Sequence, residues 1–271
     1  MILSGLFVVS SCLLTIGANS DISSISNYGQ NLSSLYSYIG SEFEERPNMI
    51  EVEVEEFEAN DIKILTSSEG LKTYENSENI NFDYEMYNIK AISHTKSTII
   101  KADGKITYQI RLFPSYRETK EETQFVHSKV ADIVAANKQV QSYTDEDKYE
   151  WIYDYIIDHV CYDYTYTNKT AYTALKSGTT ICGGYSSLYY VFAKELGLSC
   201  RIAYGDTTGG YHAWNLSYLD GEWYFTDSTM GDNAGYHNQY ILKAKNNITT
   251  HSLESGFISD FAFADTDYAI N

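Results

Sequence analysis

The sequence predicts an α+β fold in which a helix that begins at a cysteine packs on an antiparallel sheet. Apolar residues recur at helical spacing after Cys182, from Tyr185 to Leu196. Two strand patterns then flank Asp220-Gly221, a dipeptide typical of two-residue hairpin turns. We therefore predict a core in which one helix packs on a hairpin, and a small N-terminal α+β region precedes that core.

The first 20 residues carry no charged side chain, and most of them are apolar. This apolar run is short for a transmembrane helix, and the small residues before Asp21 predict a cleaved secretory signal. A second interpretation is a bacterial lipobox at residues 9–12, which would leave a lipid anchor at Cys12. A disordered or buried apolar segment is the third interpretation. The first two predict a secreted or cell-surface protein.

Residues 21–117 are predicted to form the N-terminal α+β region. One helix and three strands are expected there, at residues 32–43, 51–58, 83–93 and 95–114. Asp103-Gly104 within the last strand pattern is a second two-residue turn signal. No chemical motif stands out in this region, so we expect it to dock on the domain that follows and to help select partners.

Residues 118–245 are predicted to form the catalytic domain, and residues 246–271 a loop-rich tail. A helix is expected at residues 118–137. Thr144 with Asp147 resembles a capping box at the start of the next helix. One further strand is expected near the end of the domain, at residues 236–243.

Cys182 is expected in the first turn of its helix. Thr179 and Thr180 are residue types that cap helix N-termini, and Gly197 is a plausible stop. Unpaired N–H groups at a helix start favour the thiolate over the thiol. Gly183 next to the sulfur would let a substrate backbone approach closely. A buried structural cysteine remains the alternative.

The hairpin is expected to bring a histidine and an aspartate together. A two-residue loop fixes the register and pairs Leu219 with Glu222, Trp214 with Asp227, and His212 with Thr229. His212 and Asp227 then lie on one face as diagonal neighbours, about 7–8 Å apart at the backbone. A purely structural pair is the alternative, because two polar side chains on an apolar face must satisfy each other.

A cysteine, a histidine and an aspartate in this arrangement are the parts of a thiol nucleophile, its base and the group that orients the base. We therefore take Cys182, His212 and Asp227 as the candidate catalytic residues. The backbone N–H of Cys182 is a candidate oxyanion donor. Tyr164 and Tyr166 are guesses for a second donor.

Three sequence blocks resemble the transglutaminase-like superfamily, a branch of the papain-like cysteine enzymes. The blocks are ICGGY at residues 181–185, GYHAWN at 210–215 and EWYFTDST at 222–229. The pair Tyr162-Asp163 matches the end of a family helix, and the resemblance extends over about residues 118–235. It implies a papain-like fold and a Cys-His-Asp triad.

The resemblance also implies a reaction and a class of substrate. A thioester would form on Cys182 from a protein or peptide amide bond and then pass to an amine or to water. Two alternatives stay open. One is a secreted cysteine peptidase or amidase acting on cell-wall or surface peptides, and the other is a binding module that keeps the fold without turnover.

Composition excludes several other classes of function. The 271 residues carry a net charge of −18, which argues against nucleic acid and anionic membrane surfaces as partners. The four cysteines lack the paired spacing of a zinc site, and no cofactor motif is present. A disulfide between Cys161 and Cys200 stays open, and free thiols are the expectation.

The remaining histidines match no constellation in the sequence. They are therefore expected to be surface or packing residues: His94, His127, His159, His237 and His251. The acidic residues near the end, Asp260, Asp265 and Asp267, are expected to be solvated.

Overall fold

This computed structural model describes residues 26–28, 32–55, 82–232, 235, 237–254 and 261–270. The predicted export signal, with Cys12, lies outside the described residues, so secretion and the lipid anchor stay predictions. Within the described part of the chain, no helix has both the length and the apolar character needed to cross a membrane. Helices and antiparallel sheets alternate along the chain, which confirms the predicted α+β class.

In the part of the N-terminal region that the structure describes, a helix packs on a four-stranded sheet. Its elements are β1 (Ser26–Tyr28), α1 (Leu32–Glu44), β2 (Ile50–Glu55), β3 (Ile89–Ile100) and β4 (Ile106–Tyr116), in the sheet order β1-β2-β4-β3. Val52 and Val54 are buried on the face that α1 covers, as are Ile110 and Leu112 from the paired strand. The strand expected at residues 51–58 therefore forms over the residues that the structure describes, as β2.

The prediction of a strand over residues 83–93 is wrong for its first half. The chain forms a helix there, α2 (Asp83–Asn88), and enters β3 only at Ile89. Tertiary contacts override the strand pattern. The Asp83 carboxylate accepts hydrogen bonds from the Arg201 guanidinium and the Ile202 N–H, while the Tyr84 hydroxyl donates to Glu118 at 2.6 Å.

The second part of the molecule packs helices against an antiparallel sheet. The helices are α3 (Lys120–Ala136), α4 (Asp145–His159), α5 (Ala171–Ser177), α6 (Cys182–Glu195) and α7 (Ser228–Gly231). The sheet has the order β10-β7-β8-β9, formed by β7 (Cys200–Thr207), β8 (Gly210–Leu219), β9 (Glu222–Thr226) and β10 (His251–Leu253). Short parallel strands β5 (Cys161–Tyr162) and β6 (Thr179–Thr180) pair beside α6. This is the predicted packing of a cysteine-bearing helix on a sheet.

Helices α3 and α4 begin at threonine caps, of which the one at Thr144 is the predicted one, and a third helix departs from its sequence signal. Thr119 and Glu122 form a capping box at α3, and the Thr144 side chain accepts from the Asp147 N–H at α4. Thr179 and Thr180 do not cap α6, because both lie in β6. The residue before the helix, Ile181, has no side chain that can cap it.

The hairpin has the predicted register but a shorter second strand. Asp220 and Gly221 both have positive φ, 52° and 93°, as a type I′ turn requires, and the pairs run from Leu219↔Glu222 to Asn215↔Thr226. Asp227 leaves the ladder and caps α7 with its side chain. The predicted strand pairs of Asp227 with Trp214 and of Thr229 with His212 therefore do not form.

The C-terminal segment is more ordered than the predicted loop-rich tail. Strand β10 pairs with β7 in the register His251↔Thr207, and Phe263 bridges to Trp223. The expected strand over residues 236–243 is wrong where the structure describes it, because a 3-10 turn and a positive φ of 46° at Leu242 break the extended chain. Asp267 accepts from the Ala244 N–H at 2.9 Å instead of facing solvent alone.

We predict that Asp83→Ala destabilises the fold by about 3–5 kcal/mol, because it leaves the guanidinium of Arg201 buried without its carboxylate. The two side chains are only 3% and 1% exposed. Urea unfolding measures the effect. Glu45→Ala, which removes the exposed ion pair with Lys120, is the matched control and should change the free energy of unfolding by less than about 1 kcal/mol. Equal losses in the two variants would contradict the assignment.

Candidate active site

Cys182 is the first residue of α6, and its side chain is half-buried at the floor of a surface cleft. The next two glycines have a packing role. A Cβ on Gly183 would overlap the Tyr87 hydroxyl, and a Cβ on Gly184 would overlap Thr180. The close approach that requires glycine here is therefore made by the protein itself, whereas the sequence had suggested a substrate backbone.

His212 and Asp227 meet as the hairpin register predicts. The Nε2 atom of His212 on β8 lies 2.8 Å from Oδ2 of Asp227, which follows β9. The His212 side chain is 11% exposed and that of Asp227 1% exposed. Cys182 lines the same cleft as His212 and lies close enough to help raise the pKa of that ring. Because Nε2 already contacts Asp227, Nδ1 is the ring atom left for the sulfur.

The surroundings of His212 and Asp227 favour the charged form of both side chains. Burial alone would lower the pKa of His212, but the Asp227 charge and hydrogen bond, together with Cys182, outweigh it and raise that pKa to about 10. Burial would raise the pKa of Asp227, yet His212 and His251 hold it well below its ordinary value. His212 is therefore an imidazolium and Asp227 a carboxylate near neutral pH.

Asp227 accepts four hydrogen bonds and has no free lone pair. Oδ1 accepts from the N–H groups of Thr229 at 2.9 Å and Met230 at 3.0 Å, at the start of α7. Oδ2 is shared by His212 and by His251, whose Nε2 lies 3.0 Å away. The expectation that His251 is a surface or packing residue is wrong, because its side chain is 0% exposed and contacts the candidate site.

No sequence signal could have identified His251. It lies 24 residues beyond Asp227, in a segment without periodicity, and only the pairing of β10 with β7 brings it to the site. Tyr87 was missed for the same reason. It comes from α2 in the N-terminal region and lies against Gly183, with its hydroxyl donating to the Lys169 carbonyl.

His212, Asp227 and His251 each offer one atom that could bind a metal ion, and these three atoms lie within 4.8 Å of one another. Such a set could hold a divalent cation in principle. However, both imidazole nitrogens lie at ordinary hydrogen-bond distances from a single carboxylate oxygen. A network of ring N–H donors accounts for this geometry without a metal.

Two clefts meet at the Cys182 and His212 side chains. The larger has a volume of about 590 Å3 and is walled by Tyr162, Tyr164 and Tyr166. The smaller, of about 270 Å3, is lined by residues from both parts of the molecule, including Tyr87, Arg117, Lys169 and Tyr204. A substrate can therefore reach the sulfur from two sides.

The loop that carries the cleft tyrosines is fixed by Asp163. Its buried carboxylate accepts from the hydroxyls and backbone N–H groups of Thr165 and Thr167 and from the Asn168 N–H. These hydrogen bonds, that of the Thr165 hydroxyl first, lower the pKa of Asp163. The two guessed oxyanion donors, Tyr164 and Tyr166, are 76% and 58% exposed on the cleft wall.

Tyr162, at the root of that loop, is more closely coupled to the sulfur. Burial first, and then Cys182, raise its pKa to about 12. The other two cysteines that the structure describes are free. Cys161 is exposed, and Cys200 is buried, with a pKa raised by burial to about 12.

Comparison with known proteins identifies the same superfamily that the sequence blocks resemble. A family model, the transglutaminase-like superfamily, matches residues 132–228. The kyphoscoliosis peptidases of Homo sapiens and Mus musculus are 29% and 28% identical over 109 residues, which is 34% of this chain and 16% of each relative. The chain thus spans about a sixth of the length of these relatives.

Two solved structures are similar in part. One is described as the crystal structure of a TGase, with 14% identity, a TM-score of 0.37, and coverage of 76% of this chain and 58% of that one. The other is described as a cysteine protease from Cytophaga hutchinsonii, with 15% identity, a TM-score of 0.33, and coverage of 52% and 65%. The family match includes Cys182, His212 and Asp227 but not His251. The stretch of residues 132–228 belongs to the transglutaminase-like superfamily.

Proposed function

We propose that this protein is a cysteine enzyme that transfers acyl groups from protein or peptide amide bonds through a thioester on Cys182. The observation that supports this most strongly is the connected series from the Cys182 side chain through His212 to the fully hydrogen-bonded Asp227. A thiol, a charged imidazole and a buried carboxylate in this order match the roles of nucleophile, base and orienter.

The first half of the reaction forms the thioester. The Cys182 sulfur attacks the carbonyl carbon, and the negative charge moves to the carbonyl oxygen. The backbone N–H of Cys182, the first residue of α6, lies too early in the helix to have an acceptor within it and can stabilise that oxygen. As the tetrahedral intermediate collapses, His212 gives its proton to the leaving ammonia or amine and becomes neutral.

The second half releases the acyl group. An amine or a water molecule attacks the thioester carbon, His212 takes the proton from it, and the sulfur leaves as thiolate. Asp227 stabilises the imidazolium that forms again. The two clefts beside the sulfur suit this sequence, since one side can hold the acyl donor while the other admits the acceptor.

Hydrolysis of peptide bonds by the same residues is the second candidate, and the peptidase names of the two relatives favour it. Incubation with glutamine-containing peptides, with and without a primary amine, separates the two reactions by mass spectrometry. An amine adduct indicates transfer, and deamidated glutamine or new peptide termini indicate hydrolysis. A folded protein that gives none of these products would contradict both and leave a binding module.

We predict that Cys182 alkylates fastest among the described cysteines at pH 6, because the raised pKa of His212 keeps the imidazolium present until the pH approaches about 10. Cys161 is exposed but lacks such a partner in the described structure, and Cys200 is buried. Iodoacetamide labelling with peptide mapping measures the rates. His212→Asn should slow Cys182 at least about 10-fold at pH 6 and have less effect at pH 9. Faster labelling of Cys161 in the wild type would refute the assignment.

We also predict that Asp227→Asn lowers kcat by orders of magnitude, up to about 10,000-fold, with little change in KM. Asparagine keeps the shape but removes the charge that holds His212 protonated. Ser228→Ala is the matched control. Ser228 is adjacent and equally buried, and its hydroxyl has no hydrogen-bond partner among the described residues. An active Asp227→Asn variant together with an inactive Ser228→Ala variant would contradict the assignment of Asp227 as the residue that orients His212.

A further inference from the structure

A second histidine reaches the Asp227 carboxylate from outside the stretch that the family model matches. His251 is the first residue of β10, and its side chain is completely buried. Nε2 lies 3.0 Å from Oδ2 of Asp227, and Nδ1 lies 2.9 Å from the Thr250 hydroxyl. His251 does not line either cleft at the sulfur, so it does not touch a substrate held there.

The partners of His251 determine where its protons lie. A carboxylate only accepts hydrogen bonds, so Nε2 of His251 carries the proton that points to Asp227. The Thr250 hydroxyl can then donate to Nδ1, so both ring nitrogens of His251 have a hydrogen-bond partner. His212 differs, because it lines the larger cleft together with Cys182. One histidine thus exchanges protons while the other serves as a fixed donor.

We propose that His251 is a positioning residue for the reaction proposed above, on which this inference rests. The N–H groups at the start of α7 fix Oδ1 of Asp227, and the His251 N–H fixes Oδ2. Together they hold the carboxylate ionised and prevent its rotation, so that Oδ2 stays aimed at Nε2 of His212. The ring of His251 is itself held edge-on against Trp214, with ring centroids 4.7 Å apart.

Two substitutions separate the hydrogen bond from the packing. His251→Phe keeps an aromatic ring against Trp214 but removes the N–H, whereas His251→Gln loses the ring but keeps an N–H donor that can reach Asp227. We expect His251→Phe to lower kcat by about 10- to 100-fold, by analogy with the loss on removing a hydrogen-bond partner that orients a metal-ligating side chain, with KM changed less than about 2-fold. His251→Gln should retain most of kcat. A larger loss of kcat in His251→Gln than in His251→Phe would overturn the proposal, because the packing of the ring, and not its hydrogen bond, would then determine the rate.

The protein offers a matched control pair. His237 Nε2 lies 2.7 Å from Asp154, and its ring packs against Tyr153, but both side chains of the pair are about half exposed. His237→Phe should leave kcat unchanged. In an Asp227→Asn background, His251→Phe should cause no further loss, since its effect passes through that carboxylate. An additive loss would count against the proposal.

Two further readouts do not depend on turnover. Proton NMR should show a downfield, slowly exchanging ring N–H from His251 in the wild type. His251→Phe should remove it and shift the His212 ring N–H, and the same variant should slow the alkylation of Cys182 at pH 6. If the wild type shows no turnover, the proposed function fails while the NMR result still decides the role of His251. Absence of the His251 signal, or activity that requires added Zn2+, would overturn the proposal.

Discussion

The buried carboxylate of Asp227 is the group on which the site depends. An ionised side chain that is 1% exposed is costly unless every lone pair is satisfied. Four donors from three separate elements meet that need: the start of α7, His212 on β8 and His251 on β10. The same hydrogen bonds therefore end strand β9, begin helix α7 and hold the imidazole of His212 beside Cys182. Local folding and the geometry of the site thus depend on the same contacts.

The N-terminal region is tied to this site by buried contacts of one short helix. Asp83 at the start of α2 binds Arg201 on β7, and Tyr87 near its end packs on Gly183 beside the sulfur. Arg117 stacks over the Tyr87 ring at 5.4 Å and lines the smaller cleft. The smaller cleft is thus built jointly by the two parts of the chain, and residues of the N-terminal region lie beside the sulfur.

The sequence predicted those parts of the site that depend on local patterns. Helical spacing identified the cysteine helix, and the Asp220-Gly221 turn set the register that brings His212 to Asp227. It failed where a distant contact decides the outcome. Asp83 forms a helix because of Arg201, and His251 joins the site only through strand pairing far along the chain. Neither contact produces a recognisable spacing or periodicity in the sequence.

Whether Asp227 keeps His212 charged at neutral pH is tested most directly by the protonation state of that ring. The measurement is 15N NMR of histidine-labelled protein titrated between pH 5 and pH 10, in the wild type and in Asp227→Asn. We expect the wild-type His212 ring to stay an imidazolium up to about pH 9, in line with a pKa near 10. In the variant it should titrate at or below the ordinary value of about 6.5. Titration of His212 near 6.5 in both proteins would contradict the account.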